Sequence, residues 1–378
     1  QFMPLDVLYA QEHPPVDELV KPSADDLSSF KNVDTAKPLG FLREGRSHSD
    51  LERWSKIVYQ SARTGNWDIY VTNGAGNQVT AVAPHPAVDA HPRLTRGAER
   101  VVFDSTRSGN GDIYAVNSDG SGLVRLTDNP SRDYSPAWSP DGQRVAFVSH
   151  RAGNDEIYVM NADGSEPTRL TYNGAVDSSP VWSPDGNSIA WKRLNGTSGT
   201  VWIMNADGSN QQVWVANLRY LGDLSWAPAG DKLISDADID GDFWNELIWL
   251  CRGSTQICWS LDAATSFVDL WAGSYAPDGE SVVFSLLQYR VVGNRLEIER
   301  PDLGVHENGS QQPYRLPGSG ADLNPNWDTA DLLAPTSQLL PLPAFVPAGR
   351  LPVRWRGVDL GPAGVETFDI QYRVQPDT

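Results

Sequence analysis

One acidic stretch has the spacing of a calcium-binding loop. Residues 236–242 read D-A-D-I-D-G-D, which places carboxylates at alternate positions and a glycine at the bend. Ca²⁺ takes about six to eight oxygen ligands, and such loops usually end on an acidic twelfth residue. Here Leu247 stands at the twelfth position, one residue after an acidic side chain. A solvated acidic loop is the alternative to a Ca²⁺ site. The candidate ligands are Asp236, Asp238, Asp240, Asp242 and Glu246.

Two cysteines lie close to this stretch. Cys251 and Cys258 flank six residues in what we predict to be a hairpin. Cross-strand cysteines in a hairpin can reach bonding distance, so we expect a disulfide and hence an oxidising compartment. Two free thiols in the core are the alternative. The chain has no Cys-x-x-Cys pair, which argues against zinc and haem attachment.

Motifs for catalysis are missing from the sequence. It contains no Gly-x-Ser-x-Gly elbow, no phosphate-binding loop and no dinucleotide fingerprint, and its six histidines are scattered. We therefore predict a protein that is not an enzyme. The net charge of −18 argues against nucleic acid and anionic membranes as partners, and no apolar run is long enough to span a bilayer.

An internal repeat of 44 residues organises the central region. The first motif is an acidic residue followed by Ile-Tyr, and its copies begin at Asp68, Asp112 and Glu156. The second motif, Trp-Ser-Pro-Asp-Gly, begins at Trp138 and Trp182. Degraded copies of the second motif begin at Trp226 and Tyr275.

Each repeat is typical of a four-stranded antiparallel sheet. Asp-Gly pairs mark tight turns, and the middle strands are near-continuous apolar runs, as expected of sheets covered on both faces. Six such second strands occur, and the first of them, Ile57–Gln60, lacks a preceding first strand. A late copy of the first strand ends at Trp327. We therefore predict an all-β, six-bladed β-propeller that this C-terminal strand closes into a ring.

The repeat resembles that of the TolB-like propeller family. Blade 3 matches the family pattern almost throughout, from Ser149-x-Arg151 through Glu156-Ile-Tyr to Trp182-Ser-Pro-Asp-Gly186. The resemblance covers residues 50–333 and is strongest in blades 1 to 4. It implies a propeller fold, and relatives include the periplasmic TolB protein and the propeller parts of some peptidases. Fold alone does not define an activity.

The ends of the chain have a different character. We predict an irregular N-terminal arm over residues 1–50, the propeller over 51–333, and a Pro-rich linker over 334–349. Residues 350–378 contain two alternating runs that suggest the first strands of an immunoglobulin-like or fibronectin-like domain, a C-terminal β extension. Disorder is the alternative for the arm, and a flexible tail for the extension.

The family's aspartates before each first strand are a second candidate site. Six-fold closure would place them around one mouth of the channel, where they could bind a cation or a basic peptide. The alternative is structural: each carboxylate caps backbone N–H groups or pairs with an arginine of the Ser-x-Arg motif, which blades 4 to 6 lack. These residues are Asp89, Asp133, Asp177, Asp223, Asp269 and Asp322.

Together these features predict a non-catalytic, extracytoplasmic propeller that is periplasmic, on the cell surface or secreted. We expect it to bind a protein partner or to serve as a scaffold. A structural subunit of a surface layer or filament, built by self-association, is the first alternative. A metal-dependent enzyme at the channel mouth is the least favoured.

Overall fold

A computed structural model describes the propeller. The described residues are 55–196, 198–239, 246–251, 257–261, 268–277, 279–292, 295–307, 313–316, 322–329, 336–339 and 355–358. Every regular element among them is a β-strand.

The strands of the first three blades follow one another along the chain. In blade 1 they are β1 (Ser55–Ser61), β2 (Asp68–Asn73) and β3 (Thr80–Ala81). In blade 2 they are β4 (Asp89–Leu94), β5 (Arg100–Ser105), β6 (Asp112–Asn117) and β7 (Val124–Arg125). In blade 3 they are β8 (Asp133–Trp138), β9 (Arg144–Ser149), β10 (Glu156–Asn161) and β11 (Thr168–Arg169).

The later blades keep this order with longer strands. In blade 4 they are β12 (Val176–Trp182), β13 (Ser188–Asn195), β14 (Ser198–Asn205) and β15 (Gln212–Arg219). In blade 5 they are β16 (Ser225–Trp226), β17 (Lys232–Ala237), β18 (Glu246–Cys251) and β19 (Ile257–Leu261). In blade 6 they are β20 (Val268–Tyr275), β21 (Ser281–Val292), β22 (Arg295–Glu307) and β23 (Tyr314–Arg315).

A late strand, β24 (Asp322–Thr329), completes blade 1. It pairs antiparallel with β1, with Ile57 opposite Trp327. The innermost strands contact one another around the ring, from β24 through β4, β8, β12, β16 and β20 back to β24. Six four-stranded blades and closure by the C-terminal strand, both predicted from the repeat, are thus confirmed.

A separate two-stranded sheet follows the ring. It pairs β25 (Thr336–Leu339) with β26 (Trp355–Val358). The first of these strands falls within the region predicted to be a linker, so that region includes regular structure. The boundaries of the arm, the linker and the sandwich-like extension remain predictions, because most of those residues lie outside the described ranges.

The sequence pattern explains why the blades stack. The second and third strands are buried along almost their whole length, as β5 and β6 show. Large side chains from neighbouring blades share one cluster: Trp138, Phe147 and Tyr158 of blade 3 pack with Val102 and Ile113 of blade 2. Apolar burial between sheets, rather than within a single sheet, is therefore the main source of cohesion.

The two ends of each blade form two distinct faces of the ring. The turn face carries the Pro-Asp-Gly turns and the Asn-x-Asp-Gly turns, and the loop face carries the Ser-x-Arg loops. On the turn face, backbone N–H groups of the second turn type bond to the first turn type, as from Ala162 to Gln143 at 2.8 Å. In blades 2 to 4 the Asn-x-Asp-Gly turn also packs on the preceding blade, as Gly164 does on the backbone of Leu126.

Gly164 and Gly153 provide a matched test of this packing. Both have positive φ, +87° and +95°, but a Cβ at Gly164 would lie 2.3 Å from the Leu126 carbonyl oxygen, whereas a Cβ at Gly153 meets nothing within 4 Å. We expect Gly153→Ala to cost about 1 kcal/mol of unfolding free energy through backbone strain alone. Gly164→Ala should cost about 3 kcal/mol or more, because the blade contact must also open. Urea denaturation measures both, and equal costs would contradict the packing argument.

Candidate functional site

Four of the predicted channel-mouth aspartates are buried and neutralised. Asp89, Asp133, Asp177 and Asp322 are each 0% exposed. In blades 1 to 3 the arginine of the Ser-x-Arg motif pairs with the aspartate. The pairs, measured between nitrogen and carboxylate oxygen, are Arg63–Asp322 at 2.9 Å, Arg107–Asp89 at 2.8 Å and Arg151–Asp133 at 2.8 Å.

Blade 4 lacks the arginine of the Ser-x-Arg motif, because Asn195 stands at that position. Arg193, on β13, takes over the role, and its Nε lies 2.6 Å from Asp177 Oδ1. The substitute comes from the strand itself rather than from the loop after it, so the motif search did not find it. The structural alternative for these four aspartates is therefore the one that the geometry supports.

Asp223 and Asp269 do not occupy the corresponding positions. Each of the other four aspartates stands five residues before the Trp position of the Trp-Ser-Pro-Asp-Gly motif, as Asp133 does before Trp138. In blades 5 and 6 that position holds Leu221 and Leu270, which are buried. Asp223 lies two residues further into the channel, and the side chain of Asp269 lies outside the described residues. Among the described side chains, the aligned aspartates therefore come from four blades rather than six.

Burial dominates the ionisation of these carboxyl groups. Desolvation raises the pKa of Asp89 to about 6, although hydrogen bonds from Ser105 and Arg107 and the charge of Arg107 act in the opposite direction. Burial likewise raises the pKa of Asp133. Their carboxylates need their arginine partners in order to stay charged in the folded chain.

Inside the channel, one non-glycine residue in each of several inner strands has a positive φ. These residues sit at β-bulges, and they are Asn324 (51°), His91 (49°), Ser135 (47°) and Ser179 (48°). Second strands of the preceding blade accept hydrogen bonds from three of their N–H groups. The pairs are His91 to Gln60 Oε1 at 3.0 Å, Ser135 to Asp104 Oδ1 at 3.1 Å and Asn324 to Ser285 Oγ at 3.0 Å.

Asp223 takes the same position in blade 5 and joins an ionic cluster. Its Oδ1 accepts a hydrogen bond from Ser179 Oγ at 2.7 Å and lies 3.8 Å from Lys192 Nζ. Its Oδ2 lies 3.4 Å from Nη2 of Arg93. Arg93 belongs to blade 2, so this contact crosses the channel.

A cavity of about 230 Å³ opens on the turn face above this cluster. Its floor is a ring of six residues, one from each blade. Each stands just before the residue at the Trp position of the Trp-Ser-Pro-Asp-Gly motif, which is Trp327 in blade 1 and the last paired residue of the inner strand in the other five blades. The floor ring consists of Arg93, Ala137, Val181, Ser225, Ser274 and Asn326. Blades 3 and 4 give the floor an apolar side, and the other four blades give it a polar side with a cation.

Tryptophans and prolines form the cavity wall. In blades 3 to 5 the proline of the turn packs against the glycine of the next blade's turn, and a Cβ at Gly186 would lie 3.3 Å from Pro140 Cγ. This packing joins the turns of blades 3 to 6 into a collar. Its members include Trp138, Trp182, Trp226, Pro140, Pro184, Pro228 and Pro277.

Exposed aspartates stand further out on the same face, in the Asn-x-Asp-Gly turns. Hydrogen bonds from the serine two residues later lower the pKa of Asp119, Asp163 and Asp207. They therefore stay ionised and give the outer part of the turn face negative charge.

The acidic stretch of blade 5 is only partly described. Asp236 and Asp238 are buried, and Glu246 Oε2 accepts a hydrogen bond from the N–H of Ile239 at 3.0 Å. Asp240 and Asp242 lie outside the described residues, and among the described ones no three His, Cys, Asp or Glu side chains are grouped to hold a metal. The Ca²⁺ site remains a prediction.

The two cysteines lie on adjacent strands, as the hairpin prediction requires. Cys251 ends β18, and Cys258 lies on β19 next to Ile257, which pairs with Leu250. Cys251 is in the disulfide-bonded form, but the side chain of Cys258 lies outside the described residues. The pairing of the two remains a prediction.

A closed ring of six blades with a collared cavity on one face and neutralised aspartates on the other defines a six-bladed β-propeller. The model of the family described as PD40, TolB beta propeller domain, matches residues 126–292. No curated protein matches the chain.

Solved structures with similar folds include two TolB proteins. The chain is 18% identical to TolB from Acinetobacter baumannii, with a TM-score of 0.60. The match covers 72% of this chain and 66% of that protein. For the putative TolB from Agrobacterium tumefaciens the identity is 15% and the TM-score 0.53, with 73% and 98% covered. For a chain of a nidogen/laminin complex the identity is 12% and the TM-score is 0.53. That match covers 73% of this chain and 99% of the other. At these identities the likeness establishes the fold.

The cavity floor was not predicted from the sequence. Its signal is the residue that precedes the Trp of each Trp-Ser-Pro-Asp-Gly copy, compared across all six blades. Arg93 precedes Leu94, a copy in which the Trp has been lost, so the motif does not mark it.

Proposed function

We propose that this chain is a non-catalytic, extracytoplasmic propeller that binds a protein partner at the turn face. The observation that carries the proposal is the cavity of about 230 Å³, to which all six blades contribute. A concave site with apolar walls and a few placed polar groups is the usual form of a binding pocket. The similar fold in the nidogen/laminin complex, itself a complex between proteins, is consistent with this role.

The opposite face offers less to a ligand. Its four aligned aspartates are buried and already paired with arginines, so they have little capacity to bind a cation or a basic peptide. A partner of the loop face would have to break buried ion pairs, which is costly. Exposed carboxylates on the turn face, in contrast, are free of this cost and favour basic groups at the edge of a partner.

A peptide display library tests this proposal. Peptides enriched on the wild-type chain should lose binding to Pro228→Glu, which places a charge on the exposed cavity wall. Tyr172→Glu is the matched control, because Tyr172 is 71% exposed on the loop face. If the enriched peptides respond to Tyr172→Glu and not to Pro228→Glu, the binding face is wrong.

Self-association into a surface layer or filament is the second candidate. The outer strand of blade 4, β15, has eight residues, whereas the outer strands of blades 2 and 3 have two each. Val213 on β15 is exposed. Open strand edges are templates for pairing. Sedimentation velocity distinguishes the candidates. A single slow species at all concentrations favours the binding module, and a species that grows with concentration favours the filament.

The extracytoplasmic location rests on the cysteine pair and on the resemblance to periplasmic TolB. We expect a Cys251–Cys258 disulfide in the native chain. Mass spectrometry after alkylation without reductant should show no alkylated cysteine, and reduction first should add two labels. Two labels without reductant would remove this support.

We further propose that the acidic stretch of blade 5 binds Ca²⁺. A chelator should then lower the melting temperature, and added Ca²⁺ should restore it, because a ligand that binds only the folded state stabilises that state. Asp240→Asn should weaken this response, while Asp207→Asn, which neutralises an exposed aspartate of another turn, should not. An identical melt with and without chelator would contradict the site.

A further inference from the structure

The floor of the turn-face cavity has an apolar side and a polar side, and this division indicates the chemical class of its ligand. Ala137 and Val181 form one side, while Arg93, Ser225, Ser274 and Asn326 form the other. Of these six residues, Arg93 is the one that carries a charge. No carboxylate belongs to the floor ring itself, whereas the lining beyond the floor includes Arg96 and Asp328.

Arg93 keeps hydrogen-bonding capacity toward the cavity. Its side chain is 17% exposed, its Nη1 donates to the carbonyl of Pro92 at 3.1 Å, and its Nη2 reaches Asp223 Oδ2 at 3.4 Å. A guanidinium has five N–H donors in a planar fork that suits a carboxylate. Asp223 also has Ser179 and Lys192 beside it, so Arg93 is not the sole cation at that carboxylate.

Asn326 stands beside this fork on the floor. Its Nδ2 donates to Ser274 Oγ at 3.3 Å, and its Oδ1 accepts the N–H of Leu94 at 2.8 Å. These bonds fix the amide orientation. The amino group has a second N–H, and this is a donor that a carboxylate can use.

Building on the proposed function, we infer that the cavity recognises a single peptide carboxylate next to an aliphatic side chain. The carboxylate lies against Arg93 and Asn326, and the aliphatic group lies against Ala137 and Val181. The ionised Asp119, Asp163 and Asp207 on the same face repel multiply charged anions, which argues against phosphate clusters or nucleic acid as the ligand.

Three short peptides test this inference by ligand-observed NMR. The probes are acetyl-Ala-Leu with a free C-terminus, acetyl-Ala-Leu-amide and acetyl-Glu-Leu-amide. The neutral amide should bind at least tenfold more weakly than the peptides that carry a carboxylate. Binding of the first probe alone assigns a chain terminus, and binding of the third as well assigns an acidic side chain.

Variants of the floor provide the second arm. Arg93→Gln should weaken the carboxylate probes at least tenfold and leave the neutral amide unchanged. Asn326→Asp adds a negative charge with little change in shape and keeps Arg93. It should also weaken binding of the carboxylate probes at least tenfold and leave binding of the neutral amide unchanged. The control is Arg132→Gln, which removes a cation from the loop face. Unfolding curves show that each variant is folded.

The inference is overturned if the amide binds as tightly as the acids, or if both floor variants leave the acids unaffected. Such results leave the proposed function standing, because peptides still bind and still respond to Pro228→Glu. If no probe binds and library peptides ignore Pro228→Glu, both the inference and the proposed function fail.

Discussion

A chain that ends at residue 321 should lose its cooperative unfolding transition. Without β24, the strand β1 loses a register that runs from Ser55 opposite Thr329 to Ser61 opposite Asp322. Arg63 loses its ion pair with Asp322, and Gln60 loses the hydrogen bond that its Oε1 accepts from Asn324 Nδ2. At about 1 kcal/mol for each backbone hydrogen bond, plus the exposed blade face, the loss is about 5 kcal/mol or more. That is comparable to the whole stability of many domains.

Two further chains make this experiment specific. A chain ending at residue 329 removes the later segments but keeps β24, and should unfold as the full chain does. A circular permutant should restore stability. In this chain residues 322–327 come first, a copy of the blade 3 turn (residues 139–143) follows them, and the sequence then runs from Lys56 to residue 321. Circular dichroism and urea denaturation measure all three. If the chain ending at 321 unfolds like the one ending at 329, closure by β24 does not hold the ring together.

Arg151→Met should destabilise the chain by about 3–5 kcal/mol, because it leaves the carboxylate of Asp133 buried without its cation. Arg151 also donates from Nε to Ser149 Oγ at 2.7 Å and lies over the ring of Tyr158 at 4.9 Å. Methionine keeps part of the packing and removes the charge. Arg96→Met, at an exposed arginine, is the control and should change stability by less than about 0.5 kcal/mol.

The effect of Arg151→Met should depend on pH. Burial already raises the pKa of Asp133, and loss of the arginine raises it further. A group whose pKa is higher in the folded state than in the unfolded state loses stability as pH rises through the folded pKa. The variant should therefore approach wild type in acid and fall furthest behind above that pKa. The double variant with Asp133→Asn should recover part of the loss, and a cycle of urea midpoints at two pH values gives the coupling. No recovery would mean that packing, not charge, dominates.

The sequence was sufficient to predict the ring. A 44-residue period held by two motifs defines the blades, and the first strand missing before Ile57 reappears before Trp327. These are local signals: turns with Asp-Gly and apolar runs covered on both faces. They depend on chemistry that each repeat carries within itself.

The site was harder to predict because its contacts join distant repeats. Arg93 meets Asp223 across 130 residues, and neither lies in an intact motif. Arg193 replaces a loop arginine from a different strand position, so a search for Ser-x-Arg misses it. In the divergent blades the predicted aspartates, Asp223 and Asp269, stand one or two residues away from the aligned position in the sequence. Only the register of the strands reveals such shifts.

The bonds between second strands and the positive-φ residues of the next inner strand have a consequence for engineering. Each bond crosses from one blade to the next, as from His91 to Gln60 and from Ser135 to Asp104. A transplant cut at blade boundaries would separate every donor from its acceptor. The transferable cassette therefore begins at one second strand and ends after the following inner strand. Duplication of this same unit, from one second strand to the end of the following inner strand, would have preserved these hydrogen bonds between blades.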